Sequence, residues 1–246
     1  MDLACLTKSI IVSWREAWHA ATAPFIFVQL PEYVRANNTE LAAAREAQLA
    51  VADSLPNVGF AVTADLGDAY TVCDESHPPN CYDGSIHNRA KDLVADRLTP
   101  VVLAIAYNMT GVSYLSPRYA GAAQTADSTV RVTFDAASLT PDALPLEIHA
   151  PAFDSNSSWC PNDGVNRFVL PESCDWFSVL YSDGVWRNAT VAVDPSGDAI
   201  VLSTPGTPTG LTAVATRNGY ADWPVVSVFT KSGLPVVPWG PRNISN

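Results

Sequence analysis

The residues best suited to chemistry lie between positions 65 and 87. Asp65 and Asp68 belong to the turn sequence Asp65-Leu66-Gly67-Asp68, which ends an apolar run over 58–65. The stretch Cys81-Tyr82-Asp83-Gly84-Ser85-Ile86-His87 follows, directly ahead of a helical pattern. Open parallel sheets bind ligands beyond the carboxyl ends of their strands. A histidine held at that edge can take a proton from a serine hydroxyl and later activate water. From spacing alone, His87 is equally readable as a surface residue at a helix start. His77 precedes Pro78 and lies between Cys73 and Cys81, so it reads as an exposed loop residue. Arg45 and Gln48 are candidates for polar substrate contacts, or side chains that an Ala-rich helix simply exposes.

The elements that would position these residues alternate over 1–110. Leu6, Ile10, Trp14 and Trp18 recur at helical spacing until Pro24. Phe25-Ile26-Phe27-Val28-Gln29-Leu30 is a continuous apolar run between two prolines, the mark of a strand buried on both faces. Residues 40–52 form an Ala-, Leu- and Glu-rich helical segment with Thr39 as N-cap. A second buried strand spans 58–65, and helical periodicity resumes over 88–106, where Pro100 should kink or split the helix. Strand, helix, strand, loop, helix is the rhythm of a parallel sheet covered by helices. From about residue 111 helical periodicity stops. Short runs such as 130–134 and 189–193 alternate with the turn signals Asp183-Gly184, Pro195-Ser196-Gly197, Pro205-Gly206 and Asn218-Gly219. That texture predicts a β-sandwich over 111–246.

Composition narrows the function. Hydrophobic residues make up 48% of the 246 and charged residues 16%, enough for a packed core. The net charge of -11 argues against nucleic acid, whose phosphates need a basic footprint, and against an anionic membrane surface. No apolar run reaches the length of a membrane span.

Five cysteines cannot all pair. Cys73 and Cys81 bracket one short polar loop, and Cys160 and Cys174 bracket another. A bridge closing a loop of about 15 residues contributes about 3 kcal/mol in the chain-entropy account. Zinc is the competing reading, disfavoured by the absence of C-x-x-C and by scattered histidines. Cys5 reads as a buried thiol within the first helix. Non-reducing peptide mapping after expression in a secretory host should therefore recover Cys73–Cys81 and Cys160–Cys174, with Cys5 free. A bridge from Cys5 to any of the other four would overturn this pairing. Five N-x-[ST] sequons, at Asn37, Asn108, Asn156, Asn188 and Asn243, also favour the secretory route, secreted or lysosomal. Yet no signal peptide is visible at Met1, so the reading is of a truncated chain.

Several motifs in order carry a family resemblance. Asp65-Leu66-Gly67-Asp68, then Ser85-Ile86-His87-x-Arg89-x-Lys91, resembles a block of the sialate O-acetylesterase family of SGNH hydrolases. Trp14-Arg15, residues 24–30 and Arg45-Glu46-Ala47-Gln48 are similar to that family upstream. Cys174-Asp175-Trp176, residues 219–224 and the stretch from Leu234-Pro235 to Pro238-Trp239 are similar to it downstream. The resemblance implies an α/β fold: a partial SGNH (flavodoxin-like) parallel sheet with helices over 1–110, followed by the sandwich-like region.

By the same resemblance, the base histidine falls on His87, although Asn88 stands where the family has proline. The orienting aspartate usually lies three residues before the histidine, where this chain has Gly84. Asp83 or a carboxylate outside the chain would fill that role. Asp65, read from its place at the end of the second strand, supports the loop by capping backbone donors. The family's Gly-x-Ser nucleophile block has no counterpart. Gly111-Val112-Ser113 precedes bulky Tyr114, and Ser85 is too close to His87 to be its attacked partner. The implied substrate is an O-acetylated sialic acid or related glycan, the implied partner is the missing N-terminal half of the same domain, and no cofactor is implied. The contrasting reading is a non-catalytic glycan-binding protein using Trp159, Trp186 or Trp239.

Overall fold

The two apolar runs form parallel strands β1 (Phe25–Val28) and β2 (Val58–Ala61), with Phe25 opposite Val58 and Val28 opposite Ala61. The computed structural model describes residues 3–33, 39–67, 86–88, 90–149, 177–222, 224 and 226–244. Three helices accompany the strands: α1 (Leu3–Ala17), α2 (Glu40–Ser54) and α3 (Lys91–Ala106). Pro100 lies inside α3 without dividing it. No described helix is long and apolar enough to cross a membrane.

β1 is only half-buried along its length, contrary to the expectation of a strand covered on both faces. Phe25 N–H donates to Asn57 O and Gln29 N–H to Ala61 O, so the odd positions face β2. Ile26, Val28 and Leu30 turn their backbone groups to the opposite edge, where no described strand lies. The Gln48 carboxamide closes the far end of that edge, accepting from Leu30 N–H at 3.0 Å and donating to Val28 O at 3.2 Å.

The apolar stripe of α1 also faces outward. Leu6, Ile10 and Trp14 are exposed, as is Trp18 just past the helix end at 67%, whereas Ile11 and Arg15 are buried. Arg15 ties the helix down through Ala23 O at 2.7 Å and Pro56 O at 2.8 Å. Cys5 is exposed rather than buried, because it shares the solvent side of this helix. Trp14, Phe25, Phe27 and Phe60 continue the apolar surface as neighbouring rings 5.8–6.5 Å apart.

Among the described residues after 111, the main sheet is one curled antiparallel sheet of seven strands and not a sandwich. Its strands are β3 (Tyr119–Ala126), β4 (Thr129–Phe134), β6 (Phe177–Tyr181), β7 (Trp186–Val193), β8 (Ala199–Ser203), β9 (Ala213–Asn218) and β11 (Trp239–Asn243). They run in the order β11-β9-β6-β7-β8-β4-β3. The outer strands meet: Tyr119 OH donates to Asn243 O at 3.3 Å, and the Tyr119 and Trp239 rings lie 5.2 Å apart. The result is a nearly closed barrel, with β5 (Glu147–Ile148) and β10 (Val228–Phe229) pairing as a separate two-stranded ribbon. Alternating strands report one buried face each, and that pattern suits a curled sheet as well as two stacked ones. β4 shows it, with Val130, Val132 and Phe134 inside. The expected turns form as read; Gly197, for example, takes φ 80° in the β7–β8 hairpin, a conformation that favours glycine.

A second core joins the layers. Leu49 of α2 packs with Val62 and Ala64 beyond β2 and with Val226, Phe229 and Val237. Polar ties reinforce it. Asp53 takes both guanidinium nitrogens of Arg118 at 2.6 Å, and Glu46 accepts from Gly240 N–H at 2.6 Å and pairs with Arg242. Thr39 makes no side-chain cap; instead Asp222 accepts from Leu41 N–H at 2.7 Å. The helix start is thus capped by a carboxylate from the far end of the chain.

Candidate active site

The carboxyl ends of β1 and β2 hold a cluster of charged side chains. Two segments leave there, Gln29-Leu30-Pro31-Glu32 and Val62-Thr63-Ala64-Asp65-Leu66-Gly67. Thr63 Oγ1 donates to Gln29 O at 2.5 Å and holds the segments together. Asp65 forms a two-pronged ion pair with Arg97 of α3, at 2.5 and 2.6 Å, and Arg97 also donates to Val62 O at 3.0 Å. Asp65 therefore supports the loop, as expected, though through an ion pair rather than a backbone cap.

Glu32 is buried beside this pair and accepts a hydrogen bond from Gly67 N–H. Burial holds its carboxyl pKa well above 4.5, and the nearby Asp65 charge pushes the same way. The Gly67 N–H and the Arg45 guanidinium act in opposition. Sequence reasoning missed Glu32 and Arg97. The available signals were an acid just past a strand end and an arginine on the helix following the histidine.

Arg45 is 1% exposed, and its donors go to backbone oxygens. They are Leu30 O at 2.7 Å, Pro31 O at 2.8 Å, Ala221 O at 2.7 Å and Asp222 O at 3.2 Å. Burial pulls its pKa down to about 10 against the opposing charges of Glu32 and Asp222. Neither Arg45 nor Gln48 is the exposed helix residue considered above. Both reach from α2 to the backbone where β1 ends.

His87 is exposed and stands just before α3, with Asn88 buried behind it. Both amide atoms of Asn88 lack a partner among the described residues, and so do those of Gln29. The N-cap position of α3 is Ala90, so Asn88 does not take the capping role its type suggests. Asp83, Cys73, Cys81, Cys160, Cys174 and Trp159 lie outside the described residues. Among the described residues, no group of three or more His, Cys, Asp or Glu side chains could hold a metal ion. Trp239 is core, 3% exposed and bonded to Thr216 Oγ1 at 3.3 Å, while Arg217 lies 4.5 Å over the Trp186 ring.

No protein-family model matches the chain. It is 30% identical over 128 residues to sialate O-acetylesterase of Rattus norvegicus, and 30% identical over 127 residues to that of Mus musculus. Each alignment covers 46% of this chain and 22% of the relative, so the matched part is a small share of those proteins. The crystal structure of a carbohydrate acetylesterase from Xanthomonas citri superposes with a TM-score of 0.67 at 21% identity. That match covers 96% of this chain and 45% of the other. The chain is therefore related, distantly and over part of its length, to sialate O-acetylesterase, and it carries the fold of part of a carbohydrate acetylesterase.

Proposed function

We propose that this chain is the base-bearing part of a carbohydrate esterase that removes O-acetyl groups from sialic acids or related glycans. The observation that carries the reading is the exposed His87 just before α3, the helix whose Arg97 holds Asp65 beyond the carboxyl end of β2. That is where an open α/β sheet presents its ligands. A serine from a complementary segment attacks the acetyl carbonyl while His87 accepts its proton. The proton then passes to the departing glycan oxygen. In the second half, His87 deprotonates water, which releases acetate and restores the serine.

The complementary segment has a place to dock. Among the described residues, the Ile26 end of the β1 edge has no strand beside it, and the stripe Leu6, Ile10, Trp14 and Trp18 is exposed apolar surface. The exposed sequon residues Asn108, Asn188 and Asn243 suit glycosylation in the secretory route, in a secreted or lysosomal protein. A glycan-binding module has less support, since Trp239 is core and Trp186 is covered by Arg217.

The test uses the 246-residue chain with a chromogenic acetyl ester, O-acetylated sialic acid and a fluorophosphonate probe. Alone, the chain should show no enzymatic turnover and no labelled serine, and it should self-associate. Joined to a segment carrying a Gly-x-Ser strand and its helix, it should hydrolyse both esters. Turnover by the isolated chain that tracks with a labelled serine within it would refute this division of labour.

A further inference from the structure

We propose that Glu32, together with the Asp65–Arg97 pair, is a positioning element that locks the exit of β2 against α3 and thereby sets the place of His87. The inference rests on the reading of His87 as the base. The exit of β2 is gripped from two sides. From the β1 side, the Glu32 carboxyl receives Gly67 N–H at close range. Only glycine fits there, because a Cβ on residue 67 would lie 2.6 Å from the Glu32 Cβ. From the other side, Arg97 holds Asp65 with two contacts and Val62 O with a third. Arg97 stands on α3, whose first turn begins at Lys91, shortly after His87. Any shift of residues 65–67 relative to α3 would thus move the ground on which the histidine stands.

The charge state of Glu32 makes the grip sensitive to pH. The groups facing it are Asp65, Arg45 and the Gly67 N–H, with Arg97 beyond Asp65 and Asp222 beyond Arg45. While protonated, Glu32 accepts the Gly67 N–H without setting a second negative charge beside Asp65. Once ionised, it is a buried anion facing another carboxylate, with Arg45 already committed to backbone oxygens. The folded carboxyl binds its proton more tightly than the unfolded one. Its contribution is therefore complete below about 4.5, the ordinary value, and is lost as pH rises through the raised folded value.

Hydrogen–deuterium exchange of the full chain tests this, read by mass spectrometry and corrected for intrinsic rates at each pH. The segments followed are 62–67 and 86–97, with β4 and β6 as internal references. In the unaltered protein, protection of both segments should fall by about tenfold for each pH unit of carboxyl shift lost, while β4 and β6 stay protected. Glu32→Gln keeps the acceptor and removes the titration, so its protection should be high and flat with pH. Glu32→Ala should loosen both segments at every pH. An unchanged pH profile in Glu32→Gln would overturn the proposal, as would unaltered protection of 62–67 and 86–97 in Glu32→Ala. So would an alanine variant that fails to fold or loosens β4 and β6 equally, since Glu32 would then be general fold support. The base reading fails separately, through undiminished ester turnover by a His87→Ala enzyme, and that result would leave the exchange data standing.

Discussion

Replacing His87 with alanine should lower acetyl-ester turnover of the reconstituted enzyme by about 10²–10⁴-fold, with thermal unfolding unchanged. The expected size follows from the role: without a base, the serine hydroxyl must lose its proton to water in the attacking step. Stability should be spared because His87 is exposed at the approach to α3 and anchors no described element. The loss should fall on kcat, since proton transfer is made in the transition state rather than on binding. The companion change Asp83→Asn separates two sources of the orienting carboxylate. A large loss assigns Asp83, and indifference assigns an acid outside the chain. Asp65 is a poor alternative, because both its oxygens are held by Arg97. Turnover of His87→Ala within a few-fold of the parent enzyme would remove this residue from the reaction.

Arg45→Ala should destabilise the fold by about 3–5 kcal/mol, the range for leaving buried polar partners unpaired. Leu30 O, Pro31 O and Ala221 O would lose the guanidinium, and Asp222 O would keep only Tyr33 N–H at 3.1 Å. Two belong to the exit of β1 and two to the turn after β9, so the change severs the α/β layer from the barrel side at one point. Arg45→Lys should recover little. A single ammonium cannot span acceptors that the planar guanidinium reaches in several directions. Denaturant unfolding gives the stability directly. A cost below about 1 kcal/mol, the worth of one ordinary hydrogen bond, would show that water replaces the guanidinium and that the clamp is incidental.

Much of the architecture was legible because it is encoded locally. Period-3.6 apolar spacing marked α1, the continuous runs marked β1 and β2, and glycine-bearing turns marked the hairpins of the barrel. The place of His87 at the approach to a helix followed from the same local pattern. What escaped depends on residues distant in sequence. The N-cap of α2 comes from Asp222 and not from neighbouring Thr39, because a carboxylate brought in by the chain's far end reaches Leu41 N–H. Arg45 and Gln48 read as substrate contacts or exposed side chains, since helical spacing reports a face but not what is packed against it. Alternating strands specify a buried side yet do not say whether that side meets a second sheet or its own curl. Only the meeting of Tyr119 with Asn243 and Trp239 decided for the barrel. Glu32 gave the least warning. An acid after a proline carries no periodic signal, and its burial beside Asp65 and Gly67 exists only once β1, β2 and α3 have come together.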